Sequence, residues 1–479
     1  MTKKTSAAAG TPPLFSLVNL GCPKNTVDSE GLLAAMSLAG FACVGDPLES
    51  DVCIVNTCGF LDASRREARD TLESIARARG DAGRPLIVAT GCAVERLGGD
   101  PSLEAAGFLD AADLRAGFAD YPRLPEICLG LLRARRPAGY AGPRRLPKTY
   151  LDWLSRPRLL AGPPWSAYLK LGEGCSNCCA YCSIPLVRGR RASRPARAIL
   201  DEARQLLAGG VREITLIAQD TTAWGLDAMP PPYEEGAAAW RAPKKSPFAG
   251  LLRGLLAELP ARGAWLRVLY AHPRHLDTEI LDVLSSDPRI CPYLDLPLQH
   301  ADDRMLRLMG RGYGRARVDG LLADLRSRWP TLALRSTFIV GHPGETPSAW
   351  KNLLQFVESG AIDYLGVFAW SPEPGTRSVA LRERRVPPAV AEERRRELML
   401  AQKKVSRRLL RARVGLATEF LPESWQDGTW RGRTPWQAPD GIDGQTLVSA
   451  PRTAFRPGRI APVRVTASTT YDLKAAPLA

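Results

Sequence analysis

The chain has 479 residues, of which 45% are hydrophobic, 24% charged and 7% aromatic, a balance that excludes a collagen-like or wholly disordered polymer and, at this length, calls for two or three domains. No run of about 18 apolar residues occurs, so no membrane-spanning helix is expected; the N-terminal stretch MTKKTSAAAGTPP lacks the apolar core of a secretory signal, and a cytoplasmic location is expected. The formal net charge is +15, but only 11 of the 65 basic residues are Lys, so Arg-rich coding explains the charge as well as nucleic-acid binding does.

Residues 14–130 are net acidic and contain three short β-branched runs, LFSLVNLG (14–21), DVCIVNT (51–57) and PLIVATG (85–91), separated by helical segments such as residues 64–79. Strands alternating with helices predict βαβ units and a parallel sheet. Residues 131–160 carry eight basic residues against one acidic, with interspersed prolines, and read as a basic linker. Alternation resumes from 161 to 381 with SAYLKLG, REITLIAQ, WLRVLYAH, YLDLPLQ, LRSTFIVG and YLGVFAWS. Six βα units predict a barrel or partial barrel whose ligands gather at the C-terminal strand ends. Residues 226–247 interrupt the pattern as a surface insertion. Residues 382–413 read as a charged helix with twelve basic and four acidic side chains, and the remainder switches to short strands punctuated by Gly, Pro and Asp, the texture of a small antiparallel β-barrel. The positive charge therefore sits on connectors.

Eleven cysteines in a reducing compartment, an odd number, point to metal or redox chemistry rather than disulfides. The densest set is Gly174-Cys175-Ser176-Asn177-Cys178-Cys179-Ala180-Tyr181-Cys182. Cys175, Cys179 and Cys182 form C-x3-C-x2-C; three thiolates on a loop after a strand suit three irons of a [4Fe–4S] cluster, with the fourth iron open to an exogenous ligand. The competing zinc knuckle wants four ligands, and no His lies nearby. Cys178 has no third partner at a suitable spacing and reads as a non-ligand. Cys22, Cys58 and Cys92 each follow one of the N-terminal apolar runs, in NLGCPKN, NTCGF and ATGCAVE. In a parallel sheet those strand ends share one edge, so the three thiols can converge despite their separation, and Gly21, Gly59 and Gly91 leave room for a bulky group. Two readings stay open for this trio: a second cluster, or ordinary buried thiols, which is the reading that suits Cys43, Cys53, Cys128 and Cys291.

The cysteine spacing, with Tyr181 just before the last thiol, resembles the radical S-adenosylmethionine (SAM) superfamily. Combined with the three-cysteine domain and the terminal barrel, it resembles the methylthiotransferase family over residues 14–475. This resemblance implies an α/β multidomain chain: a methylthiotransferase (cluster-binding) domain at 14–130, the linker at 131–160, a radical-SAM partial (β/α)6 barrel at 161–398, and a TRAM β-barrel with its leading helix at 399–475. SLVNLGCPKNTVDSE (16–30), IAQDTTAWG (217–225), PYLDLPLQHADDRMLRLMGR (292–311), STFIVGHPGET (336–346) and TYDLKA (470–475) are most similar to the branch that modifies an aspartate of small-subunit ribosomal protein S-twelve. Gln219-Asp220-Thr221-Thr222 stands where tRNA-modifying relatives carry an Asn-rich element.

The same resemblance implies two [4Fe–4S] clusters, one on Cys22, Cys58 and Cys92 and one on Cys175, Cys179 and Cys182, the latter chelating SAM. One SAM would methylate a sulfur associated with the N-terminal cluster; the second would be cleaved to a radical that takes hydrogen from the aspartate β-carbon. SAM contacts are expected from Tyr181, Gln219, Val340, Gly341 and Glu345, and substrate contacts from His300, Asp440 and Asp443. The run Arg188, Arg190, Arg191, Arg194 could hold a carboxylate or be a solvated face. Implied partners are ribosomal protein S-twelve, free or in the ribosome, an electron donor such as flavodoxin or ferredoxin, and a sulfur donor, with no membrane. The alternatives are a tRNA adenosine methylthiotransferase and a non-catalytic iron–sulfur RNA-binding module that would use Trp425, Trp430 and Trp436 for stacking. The chain departs from the family pattern at Cys178, at His342 and in Ala438–Gly444, which is one residue longer than expected.

Overall fold

The computed structural model describes residues 11–98, 107–134, 151, 153–228 and 246–478. Most of the expected linker and most of the expected insertion lie outside the described residues. The chain forms two compact units, one of residues 1–161 with Leu186–Arg188 and one of residues 162–185 with 189–479.

The first unit is built on a parallel sheet of β1 (Leu14–Asn19), β2 (Ala42–Cys43), β3 (Val52–Thr57), β4 (Leu86–Gly91) and β5 (Leu114–Ala116), in the order β2-β1-β3-β4-β5. β3 and β4 are central and almost wholly buried, which is why they read as continuous apolar runs rather than alternating ones. Alternate residues feed two cores. Ile54 and Val88 pack with Phe15, Leu32, Phe118 and Tyr121 on one face, and Val55 and Ile87 pack with Leu72 and Ile75 of helix α2 (Asp62–Arg79) on the other. The edge strands β2 and β5 are only two and three residues long, too short to leave a periodic signal. Cys53 and Cys128 are core thiols, as their patterns suggested. Cys43 is not: it is exposed, because β2 is an edge.

In the second unit the six expected strands pair in chain order. β6 (Ser166–Lys170), β9 (Glu213–Ile217), β10 (Trp265–Val268), β11 (Ile290–Asp295), β12 (Ala333–Val340) and β13 (Tyr364–Ala369) form an open parallel sheet with a helix in every crossover, and two in the β6–β9 and β11–β12 connections, the winding of a partial (β/α)6 barrel. Between β6 and β9, the short strands β7 (Gly172–Glu173) and β8 (Ala192–Ser193) pair antiparallel and close the cysteine loop at its base.

Helix Pro388–Arg411 runs straight through the expected 398/399 boundary and leads to a closed barrel of β14 (Ala417–Gln426), β15 (Thr429–Arg433), β16 (Thr446–Ser449), β17 (Ala461–Ser468) and β18 (Leu473–Pro477). Phe420, Trp430, Val448, Phe455 and Val463 fill it. One pairing, β16 with β18, is parallel, because β18 enters between β16 and β17 to close the barrel; the barrel is thus not uniformly antiparallel.

A buried ionic knot joins this barrel to the central sheet. Glu213 is fully buried and accepts hydrogen bonds from Arg267 Nε (2.9 Å) and from Arg433 Nη1 and Nη2 (3.0 and 2.6 Å). Burial opposes ionisation of Glu213, but Arg433 and Arg267 outweigh it and hold the carboxyl down at about 2. Replacing Glu213 by Ala leaves the buried Arg267 without its carboxylate and Arg433 with only Glu423, and should cost about 3–5 kcal/mol, read as a lower urea midpoint at neutral pH. Because the folded-state pKa lies below the unfolded value of about 4.3, the stabilisation is present above that value and fades as pH falls toward 2. Acid titration of the parent should show this loss, and the variant should lack it.

Candidate functional site

β1, β3 and β4 are adjacent and in register, with Asn19 opposite Asn56, Asn56 opposite Thr90 and Thr57 opposite Gly91. Their C-terminal ends therefore lie side by side, and the next residues carry the thiols. Cys22 caps helix α1 (Pro23–Leu38), Cys58 follows β3, and Cys92 opens helix α3 (Cys92–Leu97). The three sulfurs sense one another: burial first, and then the Cys22 charge, raise the Cys58 pKa. Burial pushes the Cys92 thiol up to about 12; Arg188 opposes that rise, and Cys58 and Cys22 add to it. Cys22 is exposed, Cys58 half-buried and Cys92 buried. Backbone approach here is close. A Cβ on Gly59 would lie 2.6 Å from the Cys92 carbonyl oxygen, and Gly91, at φ +92°, would place one 2.2 Å from Asn56 Oδ1.

The second set sits on the loop closed by β7 and β8. Gly174, at φ +69°, has no room for a Cβ, which would fall 2.3 Å from the Arg190 carbonyl oxygen. The Cys175 amide donates to the Gly189 carbonyl (3.1 Å) and the Cys182 amide to the Cys179 carbonyl (3.2 Å). Burial, then the charges of Asp220 and Cys179, raise the Cys175 pKa, and burial with Cys179 pushes Cys182 up to about 12. Cys178 is exposed, and Arg377 binds its carbonyl rather than its sulfur. Arg311 Nη1 lies 3.2 Å from Cys179 Sγ and 3.1 Å from the Tyr181 hydroxyl.

Two thiols of each set, Cys58 with Cys92 and Cys175 with Cys182, have raised pKa values and are costly to ionise without a cation. The donor chemistry of both sets thus fits an iron–sulfur group, which deprotonates its ligands on binding. Three comparisons with known proteins bear on this geometry. Residues 15–108 match the model of the "Uncharacterized protein family UPF0004", residues 169–357 that of the "Radical SAM superfamily" and residues 414–478 that of the "TRAM domain". The ribosomal protein uS12 methylthiotransferase RimO of Symbiobacterium thermophilum is 38% identical over 97% of this chain and 91% of its own. Those of Trichlorobacter lovleyi and Geotalea uraniireducens are 38% and 39% identical over 96% of this chain and 97% of theirs. The chain belongs to the RimO family. Among solved structures, the radical SAM methyltransferase TsrM of Kitasatospora setae aligns with a TM-score of 0.50 at 16% identity, over 76% of this chain and 74% of its own. The cobalamin-dependent SAM radical enzyme OxsB aligns with a TM-score of 0.50 at 11% identity, over 81% of this chain and 56% of its own. At these identities the likeness is one of fold.

The remaining expected residues of this RimO-family chain fall into three groups. Tyr181, Gln219, Val340 and Gly341 lie on the loops and strand ends of the central sheet. Tyr181 packs against Met305, Met309 and Ala349, Gln219 donates to Glu173, and Val340 ends β12, followed by Gly341 at φ +76°. His300 and Glu345 are engaged with each other. His300 Nε2 is 3.3 Å from Glu345 Oε1 and its Nδ1 accepts from the Asp302 amide, while Glu345 Oε2 also accepts from Gly341 N and Arg394 Nη1. Both side chains are buried, which makes them supports of the 340–345 loop. Asp440 and Asp443 lie where the terminal barrel meets the central strands: Asp440 accepts from the Tyr168 hydroxyl, and Asp443 accepts from the Tyr293 hydroxyl (2.6 Å) and pairs with Arg335 (3.3 Å). His342, the departure noted in the sequence, is buried and donates to or accepts from Ser378 Oγ at 2.7 Å.

The arginine run is not a solvated face. Arg188, Arg191 and Arg194 have 2%, 6% and 1% of their side-chain surface accessible, and only Arg190 of the four is exposed. Sequence reasoning also missed a buried network beside the second cysteine set. Asp220 Oδ2 accepts from Asn177 Nδ2 (2.6 Å) and contacts His275 Nδ1 (2.7 Å), with Thr222 on its other oxygen and Arg191 at 3.9 Å. Burial opposes the charge on Asp220, but His275, His272 and Arg191 hold its carboxyl far below the usual range. Asp220, His272 and His275 bring donor atoms within 4.8 Å of one another; the Asn177 and Thr222 donors, with the Arg191 charge at 3.9 Å, make this a satisfied anion rather than a cation site. The two histidines just beyond β10 were the available signal. The chain also takes φ +60° at Tyr270 and φ +74° at Gln299, both just past strand ends, where non-glycine residues adopt strained backbone mainly under functional constraint.

The tight approach at Gly91 has a direct consequence. Gly91→Ala combines positive φ with a clash and should destabilise β3 and β4 by about 1–3 kcal/mol, measured by hydrogen exchange of their amides. Gly130→Ala, in helix Leu124–Ala134 with open space around it, should leave those amides unchanged or slightly better protected.

Proposed function

We propose that the chain is a radical SAM methylthiotransferase that adds a methylthio group to the β-carbon of an aspartate in small-subunit ribosomal protein S-twelve, and that Cys22, Cys58 and Cys92 hold one [4Fe–4S] cluster while Cys175, Cys179 and Cys182 hold the other. The observation that carries the reading is that each unit bears three cysteines at the C-terminal edge of its own parallel sheet, in a chain of the RimO family. When bound, the clusters and SAM supply the one-electron chemistry that an unactivated C–H bond requires, since no side-chain base can remove its hydrogen as a proton.

The chain's own residues then bind, orient and exclude water. Gly174 and Gly59 permit the backbone approaches that aim the thiols. Arg311 fixes Cys179 and Tyr181 together. Tyr181, Gln219, Val340 and Gly341 border the space for SAM, and the His300–Glu345–Arg394 network holds the 340–345 loop in shape. A cytoplasmic location, the ribosomal substrate, a flavodoxin- or ferredoxin-like electron donor and a sulfur donor belong to the same proposal. Among the described residues, no helix is long and apolar enough to cross a membrane. The RNA-binding alternative is disfavoured because Trp430 and Trp436 are 2% and 3% exposed and lie inside the protein, not on a stacking face.

Anaerobically reconstituted protein should bind about eight irons, two clusters of four. Cys179→Ala should retain about four and lose reductive SAM cleavage. Mass spectrometry of ribosomal protein S-twelve should show a methylthio adduct on aspartate that disappears when the gene is deleted. An adduct on tRNA instead, or a preparation that binds only zinc, would overturn the proposal.

A further inference from the structure

We propose that Arg188 is a positioning residue for the N-terminal thiol site, donating to the Cys92 sulfur and so raising the reduction potential of a cluster held there. This rests on the reading that Cys22, Cys58 and Cys92 hold an iron–sulfur cluster. Leu186–Arg188 belongs to the same compact unit as those cysteines. Arg188 Nε and Nη2 lie 3.3 and 3.1 Å from Cys92 Sγ. Nη1 donates to Asp28 Oδ2 at 2.9 Å and Nη2 to Asn25 Oδ1 at 2.7 Å. The guanidinium carbon stands 4.3 Å from the centre of the Phe118 ring.

These contacts fix the group in position and direction. Asp28 and Asn25 are fully buried, Phe118 closes one face, and Nε and Nη2 both aim at one sulfur. Only a planar fork with several donors can meet a carboxylate, an amide oxygen and a sulfur at once; a Lys ammonium on a flexible stem cannot reproduce that set. The group is also unavailable to a carboxylate of SAM or of a substrate, which removes Arg188 from the role its sequence neighbourhood suggested. Hydrogen bonds to ligand sulfurs and nearby positive charge favour the more negative, reduced state of an iron–sulfur cluster. Asp28 neutralises part of the charge without removing the N–H donors.

The test uses full-length protein with Cys175, Cys179 and Cys182 replaced by Ala, so that only the N-terminal site loads. Its cluster is titrated redox-potentiometrically and followed by electron paramagnetic resonance, in this parent, in Arg188→Lys, and in Arg188→Met combined with Asp28→Asn, which leaves no unpaired carboxylate. The midpoint should move to a more negative potential in the double variant, with Arg188→Lys between it and the parent. If the double variant does not load, the Lys variant alone decides. A midpoint equal to the parent's in the loaded variants overturns the inference while leaving the cluster reading intact. A parent that binds no iron overturns that reading and the inference with it.

Discussion

The C-terminal edge of a parallel sheet is the constraint on which the rest of this structure depends. Parallel strands need crossovers, every crossover leaves from the same edge, and residues far apart in sequence are thereby delivered to one line. The first unit uses the edge to gather three thiols from three separate strands, β1, β3 and β4. The second uses it differently. One strand-following loop carries all three thiols, and the β7–β8 ribbon fixes the loop at its base. Both solutions require glycine where backbone comes within contact of backbone, at Gly59 and Gly91 in one unit and at Gly174 in the other.

Electrostatics follow from that crowding. In each set burial raises the pKa of two of the three thiols, Cys58 and Cys92 in one and Cys175 and Cys182 in the other, so each site suits a group that takes its sulfurs as thiolates. Each set is accompanied by one buried arginine aimed at one sulfur, Arg188 at Cys92 and Arg311 at Cys179. The two arginines are anchored by different means. Arg188 is held by an ion pair with Asp28 and an amide oxygen of Asn25, whereas Arg311 binds neutral partners, the Tyr313 and Tyr181 hydroxyls and the Pro297 carbonyl. In the first unit the partner carboxylate offsets the arginine's charge; in the second the full charge stays beside the sulfur.

The main strands and the placement of thiols just after them were legible in the sequence because both depend on local patterns: β-branched runs, and cysteines that follow them. The six central strands stand where their runs placed them. What stayed hidden depends on contacts between distant residues. The edge strands β2 and β5 carry too few residues for a period. The burial of Arg188, Arg191 and Arg194 cannot be inferred from a run of like charge, which in isolation describes a solvated face equally well; it follows from Asp28, Glu202 and Asp220 arriving from elsewhere in the fold. Asp440 and Asp443 looked like free acidic residues of a substrate loop, and their tyrosine and arginine partners lie more than a hundred residues away.

Those carboxylates bear on how the terminal barrel is held. Asp443 meets Tyr293 and Arg335, Glu419 meets the Trp265 indole, and Arg433 meets Glu213, so polar groups of the barrel complete polar groups on four central strands. A purely apolar contact would tolerate sliding. A buried polar network is satisfied in one arrangement only, and any shift leaves charges unpaired in a low-dielectric setting. Asp440 and Asp443 are accordingly parts of the joint that sets the barrel's place beside the central sheet.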